Sequence, residues 1–125
     1  MTGARRVYVI DDDPQVLDST AFLLSTLGYE CMTFSAADEF LGRAADLPSG
    51  CVLTDLRMPV TDGFELASRV GELGLAWPLV MMTSDHSADV ARRAARHGIA
   101  TVLPKPVQAE AVAGALTAAF NALDA

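Results

Sequence analysis

Cysteine, lysine, histidine and tryptophan are all scarce: the 125 residues include two Cys, one Lys, two His and one Trp. Cys31 and Cys51 lie in separate apolar runs with no CxxC spacing, which excludes a disulfide framework and a thiolate metal site. Each reads as a small buried hydrophobe. His86 and His97 are not at metal-ligand spacing and read as a loop polar residue and a helix-end residue. Positive charge is also short, with 9 Lys and Arg against 16 Asp and Glu, a net charge of −7. That balance excludes nucleic-acid binding by counterion release and attraction to an anionic membrane from this chain. The longest apolar stretch, Leu75–Met82, is interrupted by Pro78 and falls far short of the ~20 residues a membrane span needs. After Met1–Arg6, only Val7-Tyr8-Val9-Ile10 precede three aspartates, so no signal-peptide apolar segment is present and a soluble cytoplasmic protein is expected.

What is present is a globular composition, 51% hydrophobic and 20% charged, at a length suited to one core. Short apolar and β-branched runs recur at Val7–Ile10, Glu30–Phe34, Cys51–Thr54, Leu79–Thr83 and Thr101–Leu103. Segments with helical spacing lie between them. Pro14–Leu27 opens on Asp13 and a first-turn proline, puts Val16, Thr20, Leu23, Leu24 and Leu27 on one face, and stops at Gly28. Ser35–Ala45 opens on a capping serine with an acid three residues on and carries Phe40, Leu41 and Ala44. Gly63–Leu73 presents Phe64, Ala67 and Val70; Ser87–His97 ends at Gly98; Ala109–Leu123 presents Val112, Leu116, Ala119 and Phe120. Trp77 before Pro78 reads as packing at a strand entrance. Strands alternating with helices predict an α/β fold, a three-layer, doubly wound, five-stranded parallel sheet. In such sheets chemistry gathers at the carboxyl ends of the strands.

Those ends carry Asp11-Asp12-Asp13 after the first strand, Asp55 after the third, Thr83-Ser84 after the fourth and Lys105-Pro106 after the fifth. Two carboxylates ~4 Å apart repel by about 4 kcal/mol at an effective dielectric of ~20. Oxygen ligands without His or Cys therefore suit a hard cation, Mg²⁺ or Mn²⁺. Singly, each residue has a plainer use: the aspartates as cap and turn acids, with Asp13 as the cap, Thr83 as a strand residue, and Lys105 as a solvated charge. Converging, a hydroxyl, an ammonium and a carboxylate beside a cation make a phosphoryl site.

VYVIDDDPQV, LTDLRMPVTDGFEL, MMTSDH and LPKP together resemble the response-regulator receiver domain, the CheY-like superfamily of two-component signalling, and most closely its FixJ-type subfamily. The likeness covers about residues 5–123, so residues 1–125 are expected to form a single receiver domain. It implies the flavodoxin-like strand order 2-1-3-4-5. It further implies that Asp55 accepts a phosphoryl group in a Mg²⁺-dependent reaction, with Asp12 binding the metal directly, Asp11 mainly through water, and the Arg57 backbone carbonyl completing the protein ligands. Thr83 matches the switch hydroxyl and Lys105 the phosphoryl-contacting lysine, suited to pairing with Asp55 beforehand. The Lys105–Pro106 peptide is expected to be cis, and Met58-Pro59 and Gly63 shape the site. Partners so implied are a sensor histidine kinase or phosphotransfer protein, and a phosphorylation-dependent homodimer. Such a domain is not an enzyme with turnover, since it catalyses only its own phosphorylation and dephosphorylation.

Two positions depart from the family pattern. Val102 stands where an aromatic is usual, and Ser84 where Gly or Ala is usual. The valine removes the aromatic rotamer switch, so the signal is expected to travel by the Thr83–Ser87 loop and the fourth helix. Arg92, Arg93 and Arg96 on that helix form a basic patch, read either as a solvated face or as a partner surface. Three rivals fit less well. A haloacid-dehalogenase-type phosphohydrolase needs an Asp where Arg57 stands, a flavin carrier needs a hydroxyl-rich and Gly-rich loop where the three aspartates stand, and a pseudo-receiver would lack the site residues present here.

Overall fold

The computed structural model describes residues 5–99 and 101–124. The strands are β1 (Arg6–Ile10), β2 (Glu30–Phe34), β3 (Cys51–Asp55), β4 (Leu79–Thr83) and β5 (Thr101–Pro104). The helices are α1 (Pro14–Thr26), α2 (Ala37–Leu41), α3 (Gly63–Glu72), α4 (Ala88–Arg96) and α5 (Ala109–Asp124). All four strand pairings are parallel, in the order β2-β1-β3-β4-β5. The doubly wound α/β fold with order 2-1-3-4-5 is therefore the observed one.

Alternation along the strands sorts the core onto two faces. Val7, Val9, Cys51, Leu53, Val80 and Met82 point to one side, where Leu17 and Leu24 of α1 and Val112, Leu116 and Phe120 of α5 cover them. Tyr8, Ile10, Val52 and Met81 point to the other, under Phe40 of α2, Phe64 and Val70 of α3, and Val90 and Ala94 of α4. The inner strands β3 and β4 are buried throughout, whereas the edge strand β2 is largely exposed. Cys31 is for that reason only partly buried, against the expectation, while Cys51 is fully so. Burial pushes the Cys51 thiol up to about 12. Trp77 stacks on Tyr8 with ring centroids 5.5 Å apart, closing the core where β4 begins.

The helix signals divide into those that stayed local and those that did not. Asp13 caps α1, accepting from the N–H groups of Gln15 and Val16, and Gly28 beyond its end has φ +92°. Ser87 caps α4 through the Val90 N–H, and Gly98 has φ +72°. Leu27, expected on the buried stripe of α1, is instead 38% exposed. The stripe that meets the sheet is Leu17, Thr20 and Leu24, and Leu27 falls at the C-cap, just before the chain turns at Gly28. The second helix is shorter than expected. Ala36 occupies the N-cap with no side-chain hydrogen bond, so Ser35 is not the cap, and the helix ends at Gly42. Glycine is a poor interior helix residue, and the chain continues as a tight turn at Ala44–Asp46 that buries Ala44.

Candidate functional site

Strand register assembles the site. Ile10 pairs with Thr54, so Asp11 emerges beside Asp55. Asp55 pairs with Met82 and Thr83 with Pro104, which brings Thr83 and Lys105 to the same sheet edge. Carboxylate oxygens of Asp11, Asp12 and Asp55 lie within 4.8 Å of one another. Asp11 is wholly buried, Asp12 exposed, and Asp55 7% exposed.

Lys105 binds these acids unequally. Its Nζ donates to Asp11 Oδ2 at 2.9 Å and stands 3.3 Å from Asp55 Oδ1. The shorter contact is thus with Asp11, where the sequence had suggested Asp55. Asp11 Oδ1 accepts from the Asp13 N–H at 3.0 Å, so both oxygens of this buried carboxylate are engaged. Burial lowers the affinity of Lys105 for its proton, but the hydrogen bond and charge of Asp11, followed by the charge of Asp55, outweigh it and hold the ammonium above its ordinary value. Asp55 is raised above the usual carboxylate range by its burial and then by the charge of Asp11, with Lys105 only partly offsetting both. Opposed carboxylates at about 5 Å repel by roughly 3–4 kcal/mol at an effective dielectric of ~20. One ammonium therefore leaves the cluster under-neutralised, and an all-oxygen donor set of this charge fits a hard divalent cation.

Around the cluster, the loop after β3 is held down at several points. The Gly63 N–H donates to Leu56 O at 2.9 Å. A Cβ on Gly63 would lie 2.9 Å from Asp55 O and 3.1 Å from Leu56 Cα, both backbone atoms. Gly63→Ala is therefore expected to push back the segment that carries Asp55 and to destabilise the fold by about 1–3 kcal/mol. Thermal melting checks this, and an unchanged midpoint would refute the close approach. Thr61 Oγ1 donates to Asp38 Oδ1 at 2.8 Å, tying the loop to α2. Val60, 90% exposed, has φ +70°, a strained conformation for a β-branched residue.

The remaining candidates fall as follows. The Lys105–Pro106 peptide is cis. Thr83 is 1% exposed, and its Oγ1 accepts from the Asp85 N–H at 3.0 Å. Ser84 is exposed, and Val102 packs partly buried against the core face under α4. The three arginines of α4 are not equivalent. Arg93 lies over the Phe64 ring at 4.3 Å, Arg92 is 3.7 Å from Asp89, and Arg96 is exposed. His97 stacks on Phe64 at 5.3 Å and shares a hydrogen bond with Ser68.

Sequence reasoning overlooked Asp85. Its carboxylate accepts from the Ser87 N–H at 3.0 Å and from Arg57 Nη2 at 3.0 Å. The hydrogen bonds of Ser87 and then of Arg57 hold its carboxyl below the usual range. A readable signal existed, because an Asp two residues before a helix-capping Ser suits an Asx turn. No local rule pairs it with Arg57, 28 positions away.

Comparison with known proteins agrees with this arrangement. The family model described as the response regulator receiver domain matches residues 7–117. The transcriptional regulatory protein FixJ of Bradyrhizobium diazoefficiens is 34% identical over 97% of this chain and 59% of its own length. FixJ of Azorhizobium caulinodans is 35% identical over 92% of this chain and 54% of its own length. The chain thus spans just over half the length of these relatives. The crystal structure of FixJ-N superposes with a TM-score of 0.88 at 30% identity, covering 94% of each chain. A response regulator receiver domain protein from Clostridium thermocellum gives 0.88 at 28% identity, over 96% of this chain and 97% of its own. Among the described residues no helix is long and apolar enough to cross a membrane. With its sheet order, its strand-end acids and a family match over most of its length, this chain belongs to the response regulator receiver domains of two-component systems.

Proposed function

We infer that Asp55 accepts a phosphoryl group from a phosphohistidine on a sensor histidine kinase or phosphotransfer protein, in a Mg²⁺-dependent reaction. The observation that carries this reading is the convergence of Asp11, Asp12, Asp55 and Lys105 at one edge of the sheet. An Asp55 carboxylate oxygen forms the new P–O bond as the donor's P–N bond breaks, and the electron pair leaves with the imidazole. Asp11 and Asp12, with Asp55 and the Arg57 backbone carbonyl, are the groups that would hold Mg²⁺, which when bound neutralises phosphoryl oxygens. Lys105, already 3.3 Å from Asp55 Oδ1, is placed to meet a phosphoryl oxygen there. Thr83 is the hydroxyl that would report the new charge to the loop leading into α4. The outer faces of α4, β5 and α5, including Arg92, Arg93 and Arg96, then serve as the partner or homodimer surface. Residues 5–123 act in this reading as one receiver unit whose only reaction is its own modification.

Incubation with acetyl phosphate and Mg²⁺ is expected to add one phosphate, seen as a mass increase on the intact chain, and chelation of the metal is expected to prevent it. Equal labelling with and without chelator, or no labelling at all, would overturn the reading.

A further inference from the structure

We propose that the Arg57–Asp85 ion pair is a latch that stabilises the resting position of Thr83 and the start of α4, and that phosphorylation works against it. The proposal rests on the reading of Asp55 as acceptor. Arg57 belongs to the loop after β3 and Asp85 to the loop after β4, and their 3.0 Å contact joins the two loops at the site. Asp85 is held by three bonds. One carboxylate oxygen takes the Arg57 guanidinium, the other accepts from the Ser87 N–H, and its own N–H donates to Thr83 Oγ1. Ser87 in turn caps α4 through the Val90 N–H at 3.2 Å. A continuous set of bonds thus runs from the loop beside the acids to the first turn of α4, with the Thr83 hydroxyl tied into its middle.

This bond uses only the acceptor side of the Thr83 hydroxyl, whose proton stays free for a phosphoryl oxygen on Asp55, but displacement of Oγ1 toward that group pulls on the Asp85 N–H. Moving the Asp85 backbone strains the turn that Arg57 anchors. The residue on β5 that would follow such a movement, Val102, has one side-chain torsion and little reach. The loop itself is then the element with two positions, and Arg57 favours one of them.

The pair is exposed, with 62% and 39% of the two side chains accessible, so it is a weak bias. Exposed ion pairs shift an equilibrium by up to about fivefold. Because coupling is reciprocal, a contact present only in the resting state weakens binding of a phosphoryl mimic by that same factor.

The test is a titration of the full chain with beryllofluoride at saturating Mg²⁺, followed by the backbone amide signals of residues 84–90. Asp85→Asn keeps an oxygen for the Ser87 N–H while removing the charge, and Arg57→Gln keeps the main-chain carbonyl. Each is expected to tighten beryllofluoride binding by about two- to fivefold, and the double variant by no more than either alone. Unchanged or weaker binding by Asp85→Asn, or gains that add in the double variant, would overturn the latch while leaving the acceptor reading intact. A parent chain that binds no beryllofluoride with Mg²⁺ present would overturn both.

Discussion

Asp55→Asn is expected to abolish phosphate uptake, lowering incorporation from acetyl phosphate with Mg²⁺ by more than about two orders of magnitude, as removal of a nucleophile does. The neighbouring acids offer no substitute. Asp11 is wholly buried, with one oxygen accepting from the Asp13 N–H and the other from Lys105, so neither oxygen is open to an incoming phosphoryl group. Asp12 is exposed and has no ammonium within ion-pair distance among the described residues. Only Asp55 combines partial access with an ammonium 3.3 Å from one oxygen. The amide introduced by the substitution has nearly the same shape as the carboxylate it replaces, so the fold should survive. Relief from the charge of Asp11, which with burial holds the Asp55 carboxyl high, should leave the metal-free variant at least as stable as the parent. Intact-mass measurement of parent and variant, beside their melting curves, checks both halves. Equal labelling of the variant would move the acceptor elsewhere.

Lys105→Met is expected to give the second large effect. The ammonium is 20% exposed and bridges Asp11 and Asp55, whose side chains are 0% and 10% exposed. Taking it away leaves two buried carboxylates facing each other with no neutralising partner. Breaking a buried pair costs about 3–5 kcal/mol when the remaining charge cannot reach water. Here the open mouth moderates the penalty to about 2–3 kcal/mol, or roughly 10 °C in melting temperature for a chain of this size. Millimolar Mg²⁺, which stabilises whichever folded form binds it, should narrow the gap between variant and parent, because it neutralises the same oxygens. The variant should remain folded but fail to differ, by amide exchange, between its states with and without beryllofluoride. A metal-free variant that melts with the parent would show that Lys105 does not offset the acid cluster.

Both expectations concern residues that are visible in the linear chain, yet their relations are not. Asp13 with Pro14, Gly28, Ser87 and Gly98 mark helix ends by local chemistry. A capping oxygen two or three residues from its N–H, or a glycine at positive φ, needs no tertiary partner. The alternation of apolar strands with helical segments likewise determined a parallel sheet, since short parallel strands can only be joined by crossovers. Even the gathering of Asp11, Asp55, Thr83 and Lys105 at one edge followed from their placement at strand ends.

Tertiary structure decided which group meets which. That Lys105 bonds Asp11 at 2.9 Å, closer than Asp55, depends on β1 lying between β2 and β3 and on the register of Ile10 with Thr54. The exposure of Leu27 was decided by which stripe of α1 meets the sheet, namely Leu17, Thr20 and Leu24. Arg93 reads as one of three surface charges until Phe64 of α3 is found beneath it. The pairing of Asp85 with Arg57, 28 positions apart, draws no notice in sequence and arises only because β3 and β4 are adjacent and end at the same level. Local rules reach about one turn of chain, whereas the energies that distinguish these pairings act between side chains that only packing brings within a few ångströms.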